Sequence, residues 1–242
     1  MLDLAFAPGD KYLAIGCVNS VVRIYSTSGL KQTHEYRKHR LSVRKIEWHP
    51  DANRLQLASL DEEANFIVFD YVLNQVVYSV ADFGKNFIFT NSGKTLVSCN
   101  KDIRVWNYSD CKLMHTFSIG EAEIETLCLI DIDQGAALEQ AGRTAAGLLF
   151  GGEEVPLSIL NLNEPSQPPQ PIEGLCHGPL MKIMKLGSSK RIVVVSHEQN
   201  IAVVSYRQNS FTLESTFLGY NDEVIDVKFS KATADGYFDR ES

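Results

Sequence analysis

Apolar and polar residues alternate along this chain in short runs, broken at intervals of about 8–12 residues by Gly, Asn, Asp, Ser or Pro. A period of two places alternate side chains on one face, so the pattern is that of strands and not of helices. The first stretch predicts strands at Leu2–Phe6, Tyr12–Cys17, Val21–Tyr25 and near Gln32–Tyr36, with turns at Gly9-Asp10, Asn19-Ser20 and Ser28-Gly29. The next predicts Val43–Trp48, Leu55–Ser59, Phe66–Phe69 and Val76–Val80. A third predicts Phe87–Phe89, Thr95–Cys99, Ile103–Trp106 and Leu113–Ser118. The fourth is eroded: Thr126–Ile130 and Gly147–Phe150 read as strands, and Asp133–Thr144 between them as an irregular insert. Pro165, Pro168, Pro169 and Pro171 follow as a solvated loop that lacks ladder donors. The fifth is clean, with Leu180–Leu186, Ile192–Ser196, Ile201–Tyr206 and Thr212–Phe217. Val224–Phe229 restarts a first strand, and Ser230–Ser242 has no alternation.

These stretches are copies of one unit. Leu4-Ala5-Phe6-Ala7-Pro8 and Ile46-Glu47-Trp48-His49-Pro50 match at a separation of 42 residues, each closed by aromatic-x-Pro. A second anchor recurs at Val22–Ser26, Phe66–Asp70 and Ile103–Asn107, with degenerate copies at Ser158–Asn161 and Ile201–Ser205. Its equivalent positions 25, 69, 106, 160 and 204 are 44, 37, 54 and 44 residues apart. Repeats of about 40–45 residues holding four short strands are the signature of a WD40-type β-propeller. The expected fold is therefore all-β and an incomplete propeller. Its units fall at about 1–38, 39–84, 85–122, 123–178 and 179–220, followed by an orphan inner strand at 224–229 and a tail at 230–242. Closure protects the edges of terminal blades, and no strands follow to cover the orphan, so the pattern reads as part of a larger propeller.

Composition narrows the function. The 242 residues are 44% hydrophobic and 22% charged, with a formal net charge of −7, which argues against a nucleic-acid surface spanning the whole domain. Five cysteines (Cys17, Cys99, Cys111, Cys128, Cys176) form no CxxC pair and read as reduced, mostly buried thiols. Met1 leads directly into a strand pattern, so no signal peptide is expected, and runs such as Arg191–Val195 are too short to span a bilayer. A soluble intracellular protein is expected.

In a typical WD repeat an Asp in a turn, a Ser or Thr, a Trp and a His form a hydrogen-bonded structural tetrad. Ser98, Asp102 and Trp106 fit three of these roles in the third unit, without a His; Trp48 anchors the second unit, and Lys38-His39 stands where Gly-His usually opens a blade. The tetrad reads as incomplete throughout, and its members as structural. Glu121, Glu123, Glu125, Asp131 and Asp133 could suggest an acid/base or metal site, yet a solvated polar face explains them and no other ligands lie near. The six histidines are dispersed, and Phe150-Gly151-Gly152-Glu153-Glu154 is acidic where a phosphate loop needs a Lys. No catalytic residue, cofactor, metal, membrane or small-molecule substrate is expected. Against the acidic balance, Arg37, Lys38, Arg40, Arg44 and Lys45 cluster with Lys31, Tyr36 and two histidines around one Glu35. This stretch is either a solvated loop between blades or a contact with RNA or an acidic protein partner.

The run Phe217–Phe229, with Gly219, Tyr220 in place of the usual His, and Asp222, resembles the opening of a late blade in the transducin-beta-like three subfamily. These are the U three snoRNA-associated WD-repeat proteins of the small-subunit processome. Trp48-His49-Pro50-Asp51 with Arg54–Ser59, and Ile103-Arg104-Val105-Trp106 with Cys111 and Glu123–Thr126, are similar to blades of the same family. The resemblance implies part of a first propeller, since family members carry two propellers and a helical C-terminal domain. It implies a nucleolar scaffold in pre-rRNA processing, whose partners are protein subunits of a large ribonucleoprotein assembly, with snoRNA or pre-rRNA as a candidate contact. A WD scaffold of another pathway, such as a ubiquitin-ligase adaptor or trafficking coat, is the alternative. Contact surfaces are expected at Arg37–Lys45 and at the Pro-rich loop Asn163–Pro171.

Overall fold

The computed structural model describes residues 2–132, 145–164, 166–175, 178–187, 189–197, 201–207 and 210–217. These hold twenty strands and, among the described residues, no helix. The first blade comprises β1 (Asp3–Phe6), β2 (Tyr12–Gly16), β3 (Val22–Ser26) and β4 (Gln32–Tyr36). The second comprises β5 (Val43–Trp48), β6 (Gln56–Asp61), β7 (Phe66–Asp70) and β8 (Gln75–Val80). The third comprises β9 (Asn86–Phe89), β10 (Thr95–Cys99), β11 (Asp102–Asn107) and β12 (Leu113–Ser118). The fourth comprises β13 (Thr126–Ile132), β14 (Ala145–Gly151), β15 (Ser158–Asn161) and β16 (Gln170–Pro171). The fifth comprises β17 (Leu180–Lys185), β18 (Arg191–Ser196), β19 (Ile201–Arg207) and β20 (Ser210–Phe217). Each blade is a four-stranded antiparallel meander in chain order.

First strands are the inner ones: β1 packs on β5, β5 on β9, β9 on β13 and β13 on β17. The array is not closed among the described residues. One hydrophobic cluster fills each of the four interfaces between successive blades. The second strands of the three middle blades face a neighbour on both sides, which explains why they read as apolar runs and not as clean alternations. In β6, Leu57 joins the cluster shared with the first blade, while Ala58 and Leu60 join the one shared with the third. Burying a side chain such as Leu57 or Leu60 stabilises the fold by about 1.5–3 kcal/mol.

Two features differ from the sequence expectation. Part of the Pro-rich loop is a strand: Gln170 pairs with Ile159 and Pro171 with Ser158. This is an outer edge, where a proline's missing N–H faces away from the ladder. The second feature is a recurrent irregularity. Register shifts fall at Ile24/Tyr25, Val68/Phe69, Val105/Trp106 and Val203/Val204, leaving Thr33, Val77, Met114 and Glu214 as the extra residues of the outer strands. Such bulges increase local twist, and polar-apolar alternation carries no trace of them. The orphan strand 224–229 and the tail lie outside the described residues, as do Asp133–Thr144.

Candidate interaction face

An up-and-down blade sends the loops β4–β5, β6–β7, β8–β9 and β10–β11 to one end of the propeller and the β1–β2, β5–β6, β9–β10 and β11–β12 turns to the other. The basic stretch occupies the first of these ends, and the structure divides it. Arg37 is held by Glu35 at 2.7 Å, and Arg23 reaches the same carboxylate at 3.1 Å. Arg23 and then Arg37 hold the Glu35 carboxyl below its usual range. Lys45 sits with its ammonium 5.6 Å from the Phe87 ring centre, a cation–π contact that fixes it at the blade boundary. Lys38, Arg40 and Arg44 are exposed and make no ion pair among the described residues. Those three are the unpaired cations of the basic stretch Arg37–Lys45 among the described residues.

The carboxylates that cluster in the sequence are engaged. Glu123 pairs with Lys85, Glu121 with Lys101 at 3.2 Å, and Asp131 with Lys185 at 2.7 Å. Glu125 lies 4.0 Å from His197, and Asp133 is outside the described residues. Separate partners disperse what the sequence set side by side, and no group of three or more ligand-type side chains stands ready for a metal among the described residues. Cys17, Cys99, Cys111 and Cys128 are free thiols; burial pushes Cys99 and Cys128 up to about 12.

Beneath the basic loop lies a buried polar chain that the sequence spacing hid. His39 Nδ1 is 3.2 Å from Asp61 Oδ2, His39 Nε2 is 2.7 Å from Ser59 Oγ, and Ser59 Oγ is 2.7 Å from the Tyr36 hydroxyl. Asp61 also accepts from the backbone N–H groups of Glu63 and Asn65 and from the Asn65 side chain. Burial lowers the His39 pKa more than Asp61 raises it, so the ring is neutral at pH 7. A neutral ring facing a carboxylate carries its proton on Nδ1. Tyr36 then donates to Ser59, Ser59 to His39 and His39 to Asp61, one direction throughout.

The second blade therefore holds an Asp-His-Ser set that the sequence spacing did not reveal, while the tetrad lacks its Trp and stays incomplete. The pattern was obscured because Phe69 stands where Trp106 stands in the third blade, as the ladders Leu57↔Phe69 and Leu96↔Trp106 show. Tyr36, stacked on Phe69 with ring centres 4.4 Å apart, delivers the donor that an indole would have supplied.

In the third blade Trp106 Nε1–H donates to Ser98 at 2.8 Å, and Ser98 donates to the Phe83 carbonyl at 2.7 Å. Phe83 takes the place of the His and stacks on Trp106, with ring centres 4.8 Å apart. Asp102 departs from the role expected of it. It lies on β11 opposite Ser118, while Asn100 occupies the position of Asp61, and the buried Oδ1 of Asn100 has no partner among the described residues. Phe83 has no donor to offer that oxygen. Trp48 is 4% exposed and donates its indole N–H to the Ala5 carbonyl at 3.0 Å, joining β5 to β1. Gly219, Tyr220 and Asp222 lie outside the described residues.

Sequence reasoning also missed side-chain bridges between the inner strands. Asp3 accepts the Ile46 N–H at 2.9 Å, Glu47 accepts the Phe89 N–H at 3.3 Å, and Thr126 accepts the Ile183 N–H at 2.9 Å. Asn86 donates to the Glu125 carbonyl at 2.7 Å. A polar residue at the inner strand of each unit was the available signal. Desolvation among these strands raises the Glu47 carboxyl to about 7, against a smaller opposing pull from Lys45 and the Phe89 N–H.

Five antiparallel four-stranded blades, inner strands first and buried Ser-Trp and Asp-His-Ser sets between them, define a WD40-type β-propeller, here incomplete. No family model matches the sequence. The chain is similar to Transducin beta-like protein 3 of Mus musculus, 25% identical over 243 residues that cover 94% of this chain and 29% of the relative. The Homo sapiens protein of the same name is 25% identical, covering 93% of this chain and 28% of the relative. The chain thus spans less than a third of the length of the curated relatives it matches. In fold it resembles a chain of the mitotic checkpoint complex, with TM-score 0.72, 14% identity, and coverage of 91% of this chain and 65% of that one. It also resembles U3-55K, with TM-score 0.68, 14% identity, and coverage of 90% and 67%.

Proposed function

We propose that this chain is part of a non-catalytic scaffold that acts in pre-rRNA processing with U three snoRNA, in the nucleolus, as a subunit of the small-subunit processome. The observation that carries the reading is the similarity to Transducin beta-like protein 3 along 94% of the chain. The propeller supplies the mechanism: rigid blades hold loops in fixed positions, so partners dock without the protein performing chemistry. Lys38, Arg40 and Arg44 are the cations available to an RNA backbone or an acidic subunit at the β4–β5 end. If the partner is RNA, removing one phosphate-binding cation should make the salt dependence of binding shallower by about one unit of slope.

The test is capture of tagged protein from cells, followed by sequencing of co-purified RNA and mass spectrometry of co-purified protein. Enrichment of U three snoRNA and processome subunits is expected, weakened at least several-fold by Lys38→Glu, Arg40→Glu and Arg44→Glu together. Recovery of ubiquitin-ligase or coat subunits with neither processome protein nor snoRNA would replace this reading with the alternative.

A further inference from the structure

At the other end of the propeller, the turn after β5, the turn after β9 and the turn after β11 enclose a cavity of about 520 Å³ between the second and third blades. Its walls are fixed. His49 Nε2–H donates to the Gly93 carbonyl at 3.0 Å, and His49 Nδ1 accepts the Asp51 N–H at 3.1 Å, so both ring nitrogens are committed. Gly93 has φ +66°, and a Cβ there would lie 2.4 Å from the His49 ring. Only glycine lets the two turns approach this closely.

The groups around the opening are donors. Arg54 and Lys94 are exposed, line the cavity and make no ion pair among the described residues. The Arg54 charge acts on both rings: it adds to the burial that lowers the His49 pKa and opposes the burial that raises that of Tyr108. Asn107 uses its carbonyl oxygen on Ser109, which leaves its amide donors for a ligand. Asp51, the carboxylate in the lining, accepts the Asn53 N–H and side-chain amide at 2.9 and 3.1 Å, and its charge also acts on Arg54 and His49.

We propose that this cleft docks a phosphorylated serine or threonine in an extended segment of a partner protein, with Arg54 and Lys94 gripping the phosphoryl oxygens. Two cations and an amide suit a compact, doubly charged anion, and charge-assisted bonds to phosphate are the strong class of hydrogen bond. A nucleic-acid strand fits less well. The rings at this site, His49, Phe89 and Tyr108, pack on one another at 4.7–5.4 Å and offer no free face for a base. A second cavity of about 340 Å³ shares Ser92, Thr95 and Met114 with the first, which gives residues flanking the phosphate a continuous path. Met114, the extra residue of the β12 bulge, is 48% exposed along that path and provides apolar contact.

The proposal goes beyond the scaffold reading and is tested separately from it. Full chain is titrated with a fluorescent degenerate peptide pool carrying one fixed phosphoserine, with the same pool carrying serine, and with single-stranded oligouridylate. The phosphoserine pool is expected to bind about tenfold or more tightly than the serine pool. That preference should vanish in Arg54→Gln/Lys94→Gln and persist in Lys38→Glu/Arg40→Glu/Arg44→Glu, which alters the opposite end. All substitutions are at exposed positions, and an unchanged unfolding midpoint verifies the fold. Equal binding of the two pools overturns the proposal, as does a preference that survives Arg54→Gln/Lys94→Gln or that also disappears in the opposite-end variant. Oligouridylate binding that depends on Arg54 and Lys94, without a phosphoserine preference, assigns the cleft to nucleic acid instead.

Discussion

Single residues show how one structural task is met with different chemistry in adjacent blades. Ser59 and Ser98 occupy equivalent ladder positions, but the donor reaching Ser59 is the Tyr36 hydroxyl and the donor reaching Ser98 is the Trp106 indole. Trp106→Ala removes both a stacked ring and that donor, and should cost about 3–5 kcal/mol in urea unfolding. The two perturbed groups respond to pH with opposite signs. His39 has a lowered folded pKa, so the unfolded chain binds more protons below the unperturbed value of about 6.5, and stability falls as pH drops through that range. Glu47 has a raised folded pKa, so the folded chain binds more protons between about 4.5 and 7, and stability falls as pH rises there. Glu47→Gln should therefore stabilise the protein at pH 8 by on the order of 1–2 kcal/mol, allowing for screening on its partly exposed side, and have little effect at pH 4. His39→Gln should flatten the acid limb of a profile of melting temperature against pH.

At the scale of elements, blades are joined by more than apolar contact. Inner strands carry an edge that no further strand covers, and side chains of the preceding blade satisfy part of it. Thr126 and the Ile183 N–H are the clearest case, since the bond is buried and the hydroxyl has a close isostere. Thr126→Val keeps the shape and leaves that N–H without an acceptor, which should cost about 1–3 kcal/mol. Thr116→Val, on the exposed outer strand β12, should cost much less in the same denaturant titration. The bulges beside Phe69 and Trp106 are the other element-scale device. They sit at the same ladder position in four blades, next to the residue that fills the interface.

For the molecule as a whole, four interface clusters tie five blades into a row in which each blade touches its sequence neighbours. Such an array is only as stable as its shared interfaces. Cutting the chain before β17 would remove Ile183, Ile192, Val194 and Val204 from the last cluster and expose Ile130, Leu149 and Leu157. The shortened chain is expected to aggregate, with increased light scattering and loss of a cooperative melting transition. The two ends of the propeller differ as well. One presents Lys38, Arg40 and Arg44 on loops between blades, and the other encloses the donor-lined cleft at Arg54 and Lys94.

Strand order, repeat length and the aromatic-x-Pro ends were legible in the sequence because period-two alternation and turn residues are local properties. Trp48, Ser98 and Trp106 were legible for the same reason, as each sits at a fixed offset within its unit. The sequence by itself determined five four-stranded units and their order. Tertiary structure decided the rest: which cations are free, which acids are paired, and that His39, Asp61 and Ser59 meet. His39 lies in the β4–β5 loop, about twenty positions before Ser59 and Asp61 on β6, and only ladder register and blade packing set the distance between these side chains. The cleft at Arg54 and Lys94 follows from the same cause, because its walls belong to two blades and exist only once the blades are stacked.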